Sequence, residues 1–225
     1  MIAVLHHADQ ILRGDASALP TPGDATRRLP RLAMMVVIFG MFYGCVMGTF
    51  SATSPERALQ IVYGAIKVPL LLLVTFAIAL PSFFVMNTLL GTRDDFAESI
   101  QALITTQAGL TIILASLAPF TGLWYCSFAD YGLAILFNGF MFGIASVTAQ
   151  VLLRRLYAPL IRRNARHRIL LRCWLAIYVF VGIQMGWVLR PFVGSPETAT
   201  SFFREGAFSN AYVFVFQLIW GKVTQ

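Results

Sequence analysis

The sequence predicts an all-α fold: a polytopic transmembrane helical bundle of five spans plus interfacial helices. Two observations predict it. The 225 residues are 58% hydrophobic and only 12% charged, with a mean hydropathy of +0.73. One soluble core cannot bury that much apolar surface, so the bilayer must be the solvent. The apolar residues also gather into five runs that approach the roughly 20 helical residues needed to cross about 30 Å of hydrocarbon. They lie near residues 32–50, 69–90, 100–118, 132–153 and 170–189.

The chain opens with an amphipathic pattern over residues 1–13. Val4, Leu5, Ala8, Ile11 and Leu12 share one helical face, His6, His7, Asp9, Gln10 and Arg13 lie around the other side, and Gly14 is a plausible stop. This helix is expected on a membrane surface or on the protein's own underside. Residues 14–30 hold three prolines and no apolar period, which reads as a linker. The transmembrane domain takes up residues 31–225.

Arg27, Arg28 and Arg31 anchor span one. In "SATSPERALQIVYGAIK", Ser54 suits an N-cap, Pro55 the first helical position and Glu56 the first turn. Leu59, Val62 and Ile66 give this helix a greasy face, and Lys67 closes it in the interface. A continuous helix from Ala58 is the alternative, but it carries Lys67 into the bilayer, and Pro69 favours a break before span two. Pro81 is expected to kink span two.

The polar loop "GTRDDFAES" leads to span three, the most polar, with Gln101, Thr105, Thr106, Gln107, Thr111 and Ser116 expected to face other helices. Trp124, Tyr125 and Tyr131 in the next loop suit an aromatic interface belt. After span four, "RRLYAPLIRRNARHR" reads as a basic loop, and its Arg154, Arg155, Arg162, Arg163, Arg166 and Arg168 suit anionic lipid headgroups. Span five ends in "QMGWVLRPFVGSP", where Pro191 and the Gly-Ser-Pro turn stop the helix. The apolar run near 211–221 is too short to cross and reads as an interfacial helix, with a tilted sixth span as the alternative.

The formal charge of +7 sits beside apolar segments, which points to orientation and headgroups rather than nucleic acid. With Arg13, Arg27, Arg28, Arg31, Arg93 and the six loop arginines on one side, the positive-inside rule places the N-terminus in the cytoplasm. Arg57, Arg190, Arg204, Lys222 and the C-terminus then lie outside. Residues 1–31 hold no apolar core long enough for a cleavable signal peptide, so span one is expected to serve as the targeting signal.

Three spans carry small-residue stripes suited to helix packing: Gly40, Gly44 and Gly48; Gly139 and Gly143; Gly182 and Gly186. The stripes are expected to meet one another, and span one is the first choice for docking a membrane-protein partner or a second copy. Asn87, Gln107, Asn138 and Gln184 are intramembrane amides expected to form interhelical hydrogen bonds. Asp94, Asp95 and Glu98 read as caps for span three and neutralisers of Arg93, or as contacts for the loop arginines. Arg190, on the sparsely basic outer side and expected to face Asp130 or Glu197, is the candidate anion contact.

No zincin, Gly-x-Ser-x-Gly, Walker or paired-acid arrangement appears, so no catalytic, cofactor-binding or metal-binding residue is assigned. Cys45, Cys126 and Cys173 fit neither a disulfide framework nor a metal-ligand spacing.

The strings "YGCVMGTF", "AIKVPLLLLVTFAIALPSFFVMNTLLG", "LASLAPF" and "QMGWVLRPFVGSP" together give the chain a family likeness. It resembles a group of uncharacterised bacterial multi-pass inner-membrane proteins in which equivalent strings follow in the same order. The resemblance implies a bacterial inner membrane and carries no catalytic residue. The five-span layout is also similar to Yip1-domain proteins, which act in membrane organisation and trafficking. The expected function is a membrane scaffold or partner-binding subunit among anionic headgroups. The alternative is a small-molecule or lipid transporter or channel that uses the polar face of span three and the Pro81 kink.

Overall fold

A computed structural model describes residues 8–12, 25–50, 52, 55–195, 198–204 and 206–213. Five long helices carry the fold: α1 (Ala25–Gly48), α2 (Pro55–Leu89), α3 (Phe96–Ser127), α4 (Tyr131–Arg163) and α5 (Arg166–Leu189). A 3-10 turn, Arg93–Asp95, leads into α3. Each helix is long and apolar enough to cross a membrane, and there is no strand among the described residues.

Short connections make successive helices alternate in direction. One side of the bundle therefore carries the α2–α3 and α4–α5 turns and the arginines, and is called the basic side below. The opposite side carries the α1–α2 and α3–α4 connections and the segment after α5, and is called the tail side. In space the helices neighbour one another in the order α5, α2, α1, α3, α4, and α4 and α5 barely touch although a short turn joins them. A seam therefore runs between α4 and α5. Helix α3 is the most enclosed, and every residue from 101 to 112 is buried.

Several elements differ from the sequence expectation. Residues 55–89 form one helix with Lys67, Pro69 and Pro81 inside it, not an interfacial helix followed by a span. The break is unnecessary because the Lys67 ammonium finds partners within the fold, and because Gly40 of α1 leaves room for the Pro69 ring, whose carbons lie 3.4 Å from where a Gly40 Cβ would stand. At 35 residues and 1.5 Å per residue, α2 is about 52 Å long, well beyond a hydrocarbon core of about 30 Å.

The aromatic loop after span three is helical through Ser127, because Ala118, Thr121 and half-buried Tyr125 continue the inward face of α3. The basic loop is also helical, as far as Arg163. Leu152, Leu153, Leu156, Tyr157 and Leu160 are buried there at helical spacing, and this apolar stripe holds the segment while all six arginines point outward.

Residues 25–30, expected in the linker, begin α1. At the N-terminus, residues 8–12 are helical with Ala8 and Ile11 in the core. Ile11 Cγ2 lies 3.7 Å from where a Gly109 Cβ would stand, about 20 Å along α3 from its first residue. This helical turn is inserted beside α3 rather than laid on a surface. The expectations for residues 1–7 and 13–24, for the Ser54 cap, and for the tail beyond residue 213 fall outside the described residues.

Candidate functional site

The glycine stripe of α1 is used within the chain. A Cβ at Gly44 would overlap the Gly64 carbonyl of α2, and one at Gly48 would stand 2.5 Å from the Gln60 carbonyl oxygen and 2.6 Å from Ile61 Cα. Helices α1 and α2 thus meet backbone to backbone, with Gly64 as the partner that spacing within single spans did not reveal. The three stripes do not meet. Gly139, Gly143 and Gly186 have nothing within 4 Å of an added Cβ among the described residues, and Gly182 has only Thr75 Cγ2 at 3.6 Å.

The intramembrane amides divide. Asn138 cross-links three helices: it accepts from the Tyr43 hydroxyl at 3.2 Å and donates to the Tyr125 hydroxyl at 2.5 Å and to the Ala134 carbonyl at 2.7 Å. Asn87 accepts from Thr92 at 2.7 Å, a local bond rather than an interhelical one. Gln107 is buried and its amide reaches Tyr178 of α5 as a hydrogen-bond partner, while its Oε1 is unpartnered among the described residues. Gln184 bonds the tail segment instead of another span, donating to the Ser209 carbonyl at 3.1 Å and accepting from the Ala211 N–H at 3.0 Å.

On the basic side, Arg163 donates to both Glu98 oxygens at 2.6 and 3.1 Å and approaches Asp95 at 3.5 Å. Asp95 does not cap α3 with its side chain. It holds Nε2 of fully buried His167 at 2.9 Å, while Tyr157 donates to Ser99 at 3.1 Å beside the same imidazole. Arg166 donates to the Leu90 carbonyl at 3.0 Å. The acids of the first turn of α3 therefore meet the basic segment and tie α3, α4 and α5 together. Arg93 lies over the Phe84 ring and is in none of the ion pairs among the described residues.

The tail side holds the most developed site. Helix α5 ends at Leu189, and Arg190 turns the chain into extended backbone. Residues 190–194 then lie against α2, where two buried donors grip them. Lys67 Nζ donates to the Pro191 carbonyl at 2.6 Å, and Gln60 Nε2 donates to the Phe192 carbonyl at 3.0 Å. Lys67 is fully buried, with the Phe202 ring centroid 4.9 Å and the Tyr63 centroid 5.9 Å from its nitrogen. A buried ammonium costs several kcal/mol unless it is hydrogen-bonded, and a carbonyl plus two aromatic faces supply the compensation.

This clamp shapes a cavity of about 410 Å³. One wall is the first part of α4, with Tyr131, Ile135, Gly139 and Phe142, and the other is Met47 of α1, Leu71 of α2 and residues 191–193. Gly139 and Ile135 are exposed, so the cavity opens sideways past them. From Tyr131 to Phe142 the α4 wall runs about 16 Å, close to the roughly 15 Å of one leaflet's hydrocarbon.

Arg190 and Arg204 close the tail-side end of this apolar chamber. The Arg190 guanidinium lies 3.2 Å above the Trp187 ring, and its Nε is buried with no hydrogen-bond partner among the described residues. Burial and the neighbouring Arg204 charge both push the Arg190 pKa below the ordinary arginine value, although a guanidinium stays protonated in proteins. Asp130, one acid expected near Arg190, instead caps α4 by accepting from the Leu133 N–H at 2.7 Å; Glu197 lies outside the described residues. Neither arginine has an acidic partner among the described residues. Two cations therefore stand at the end of the chamber, where a negative group would be stabilised.

Sequence reasoning named Arg190 and Asn138, which both line the cavity, but missed Arg204 beside them and Lys67 holding the Pro191 carbonyl. A lone lysine inside a long apolar helix was the available signal, because such a charge needs a partner in the fold. Five helices able to cross a membrane, three of which line a laterally open cavity with a cationic mouth, define the class: an α-helical multi-pass membrane protein. No protein-family model, curated protein or solved structure matches the chain.

Proposed function

We propose that this membrane protein binds an anionic amphiphile, with the acyl portion between α4 and α2 and the negative group between Arg190 and Arg204. One observation carries the reading: a cavity with largely apolar helix walls, about one leaflet deep, ends at two arginines that have no acidic partner among the described residues. Apolar walls with a few convergent polar groups are the usual make-up of a ligand site, and its volume falls within the range of about 300–1,000 Å³. Of the two functions expected from sequence, scaffolding and small-molecule or lipid transport, this observation supports the ligand class of the second.

The basic side faces the cytoplasm in this reading, because seven described arginines from Arg93 to Arg168 stand there, against Arg57, Arg190 and Arg204 on the tail side. The site then belongs to the outer leaflet. A bacterial inner membrane is supported by the sequence resemblance alone.

The test is native mass spectrometry of the protein extracted in mild detergent. The wild-type chain is expected to carry an anionic lipid, and the double variant Arg190→Ala, Arg204→Ala is expected to lose it. Each charge-assisted hydrogen bond is worth about 1.5–3 kcal/mol, roughly tenfold or more in affinity. Equal lipid occupancy in the double variant refutes the proposal.

A further inference from the structure

A second cavity of about 460 Å³ adjoins the first and shares Tyr131, Pro191 and Arg204 with it. Its character is different. The hydroxyl-bearing residues Thr198 and Ser201 line it together with Ser195, and Phe203 gives an apolar face. An amphiphile seated in the apolar chamber has its negative group at the arginines, and anything attached beyond that group enters this hydroxyl-lined space.

We infer that the ligand is a phosphodiester lipid whose second ester carries an uncharged, polyhydroxyl headgroup. The inference rests on the reading that the first cavity holds an anionic amphiphile, and it adds what lies beyond the anion. A phosphomonoester or carboxylate ends at the arginines and leaves the second cavity to water. A headgroup with hydroxyls fills it, because serine and threonine hydroxyls both donate and accept, as the hydroxyls of glycerol or a sugar require. A headgroup ending in an ammonium is disfavoured. Arg190 in the first cavity and Arg204, which lines both, repel it.

Charge alone predicts the opposite order of binding, which makes the inference sharp. A phosphomonoester carries about −1.5 to −2 at neutral pH, more than a phosphodiester, and two arginines by themselves prefer it. The hydroxyl-lined cavity must supply the difference. Two hydroxyl contacts correspond to roughly tenfold in affinity.

The full chain is placed in phosphatidylcholine nanodiscs doped with phosphatidylglycerol, phosphatidic acid or phosphatidylethanolamine, and bound lipid is counted by native mass spectrometry. Phosphatidylglycerol is expected to bind about tenfold more tightly than phosphatidic acid, and both more tightly than phosphatidylethanolamine. The double variant Thr198→Val, Ser201→Ala is expected to lower phosphatidylglycerol to the level of phosphatidic acid and to leave phosphatidic acid unchanged, which also reports that the variant is folded. Tighter binding of phosphatidic acid by the wild-type chain overturns the headgroup inference while leaving the anionic-amphiphile reading standing. A preference that survives the double variant does the same. If neither anionic lipid outcompetes phosphatidylethanolamine, both readings fall.

Discussion

Two glycines at similar-looking positions are expected to respond in opposite ways to the same substitution. In Gly44→Ala the added methyl would stand 2.7 Å from the Gly64 carbonyl carbon and 3.0 Å from Ala65 Cα, and closer still to the Gly64 oxygen. All three are backbone atoms, so no side chain can rotate away. Restoring ordinary contact at 3.4–4 Å requires α1 and α2 to separate by about 1 Å, and overpacking of this kind costs about 1–3 kcal/mol. Gly139→Ala meets nothing within 4 Å and gains up to about 1 kcal/mol of helix propensity. Thermal unfolding in one detergent, followed by intrinsic fluorescence, separates them. At roughly 2–4 °C per kcal/mol for a chain of this size, Gly44→Ala is expected to lower the midpoint by several degrees, while Gly139→Ala leaves it unchanged or raises it. Equal midpoints for the two variants would refute the backbone-to-backbone contact of α1 and α2.

Other outcomes follow from the same structure. Lys67→Met removes the short bond to the Pro191 carbonyl, leaving only Gln60 at 3.4 Å; quenching by acrylamide is expected to increase as residues 190–193 loosen near Trp187, and unchanged quenching would count against the clamp. Asp95→Ala leaves both ring nitrogens of fully buried His167 without a described partner and is expected to cost about 1–3 kcal/mol. Asp94→Ala, at an exposed neighbour, is expected to be near neutral, and equal losses in a chemical-denaturation comparison would reject the His167–Asp95 contact as the cause. Cys126 is exposed on the tail side and Cys173 is half-buried, so an impermeant maleimide is expected to label Cys126 in intact cells. Labelling of Cys126 only after permeabilisation would reverse the proposed sidedness.

Legibility in the sequence depended on whether a feature was local. The end of α5 at Leu189 was readable from Pro191 and the turn residues behind it. The apolar stripe Leu152, Leu153, Leu156, Tyr157 and Leu160 was present as well, but the arginines between those residues obscured it. The result was a helix read as a loop. Tyr125 and Thr121 looked like loop residues because an aromatic belt is a statistical expectation, whereas their inward packing belongs to the fold.

At the candidate site, Arg190 stood out because a basic residue where a span ends is conspicuous. Arg204 did not, since the chain between them carries no period that relates one to the other. Likewise the contact between acids and the basic segment could be listed as one of two readings, but the choice of Arg163 for Glu98 and of His167 for Asp95 required the helices to be in place.

The sequence by itself determined the class of protein, the five apolar runs, their alternation and the asymmetry of basic charge, because hydropathy, length and charge are sums over neighbouring residues. The tertiary structure alone decided that Lys67 can remain inside α2, that Gly44 meets Gly64, and that Arg190 and Arg204 share one cavity. Each of these is a pairing across helices, as when Lys67 finds a carbonyl 124 positions away. The energy of a buried charge or a backbone-to-backbone crossing depends on the partner opposite, which local pattern does not specify.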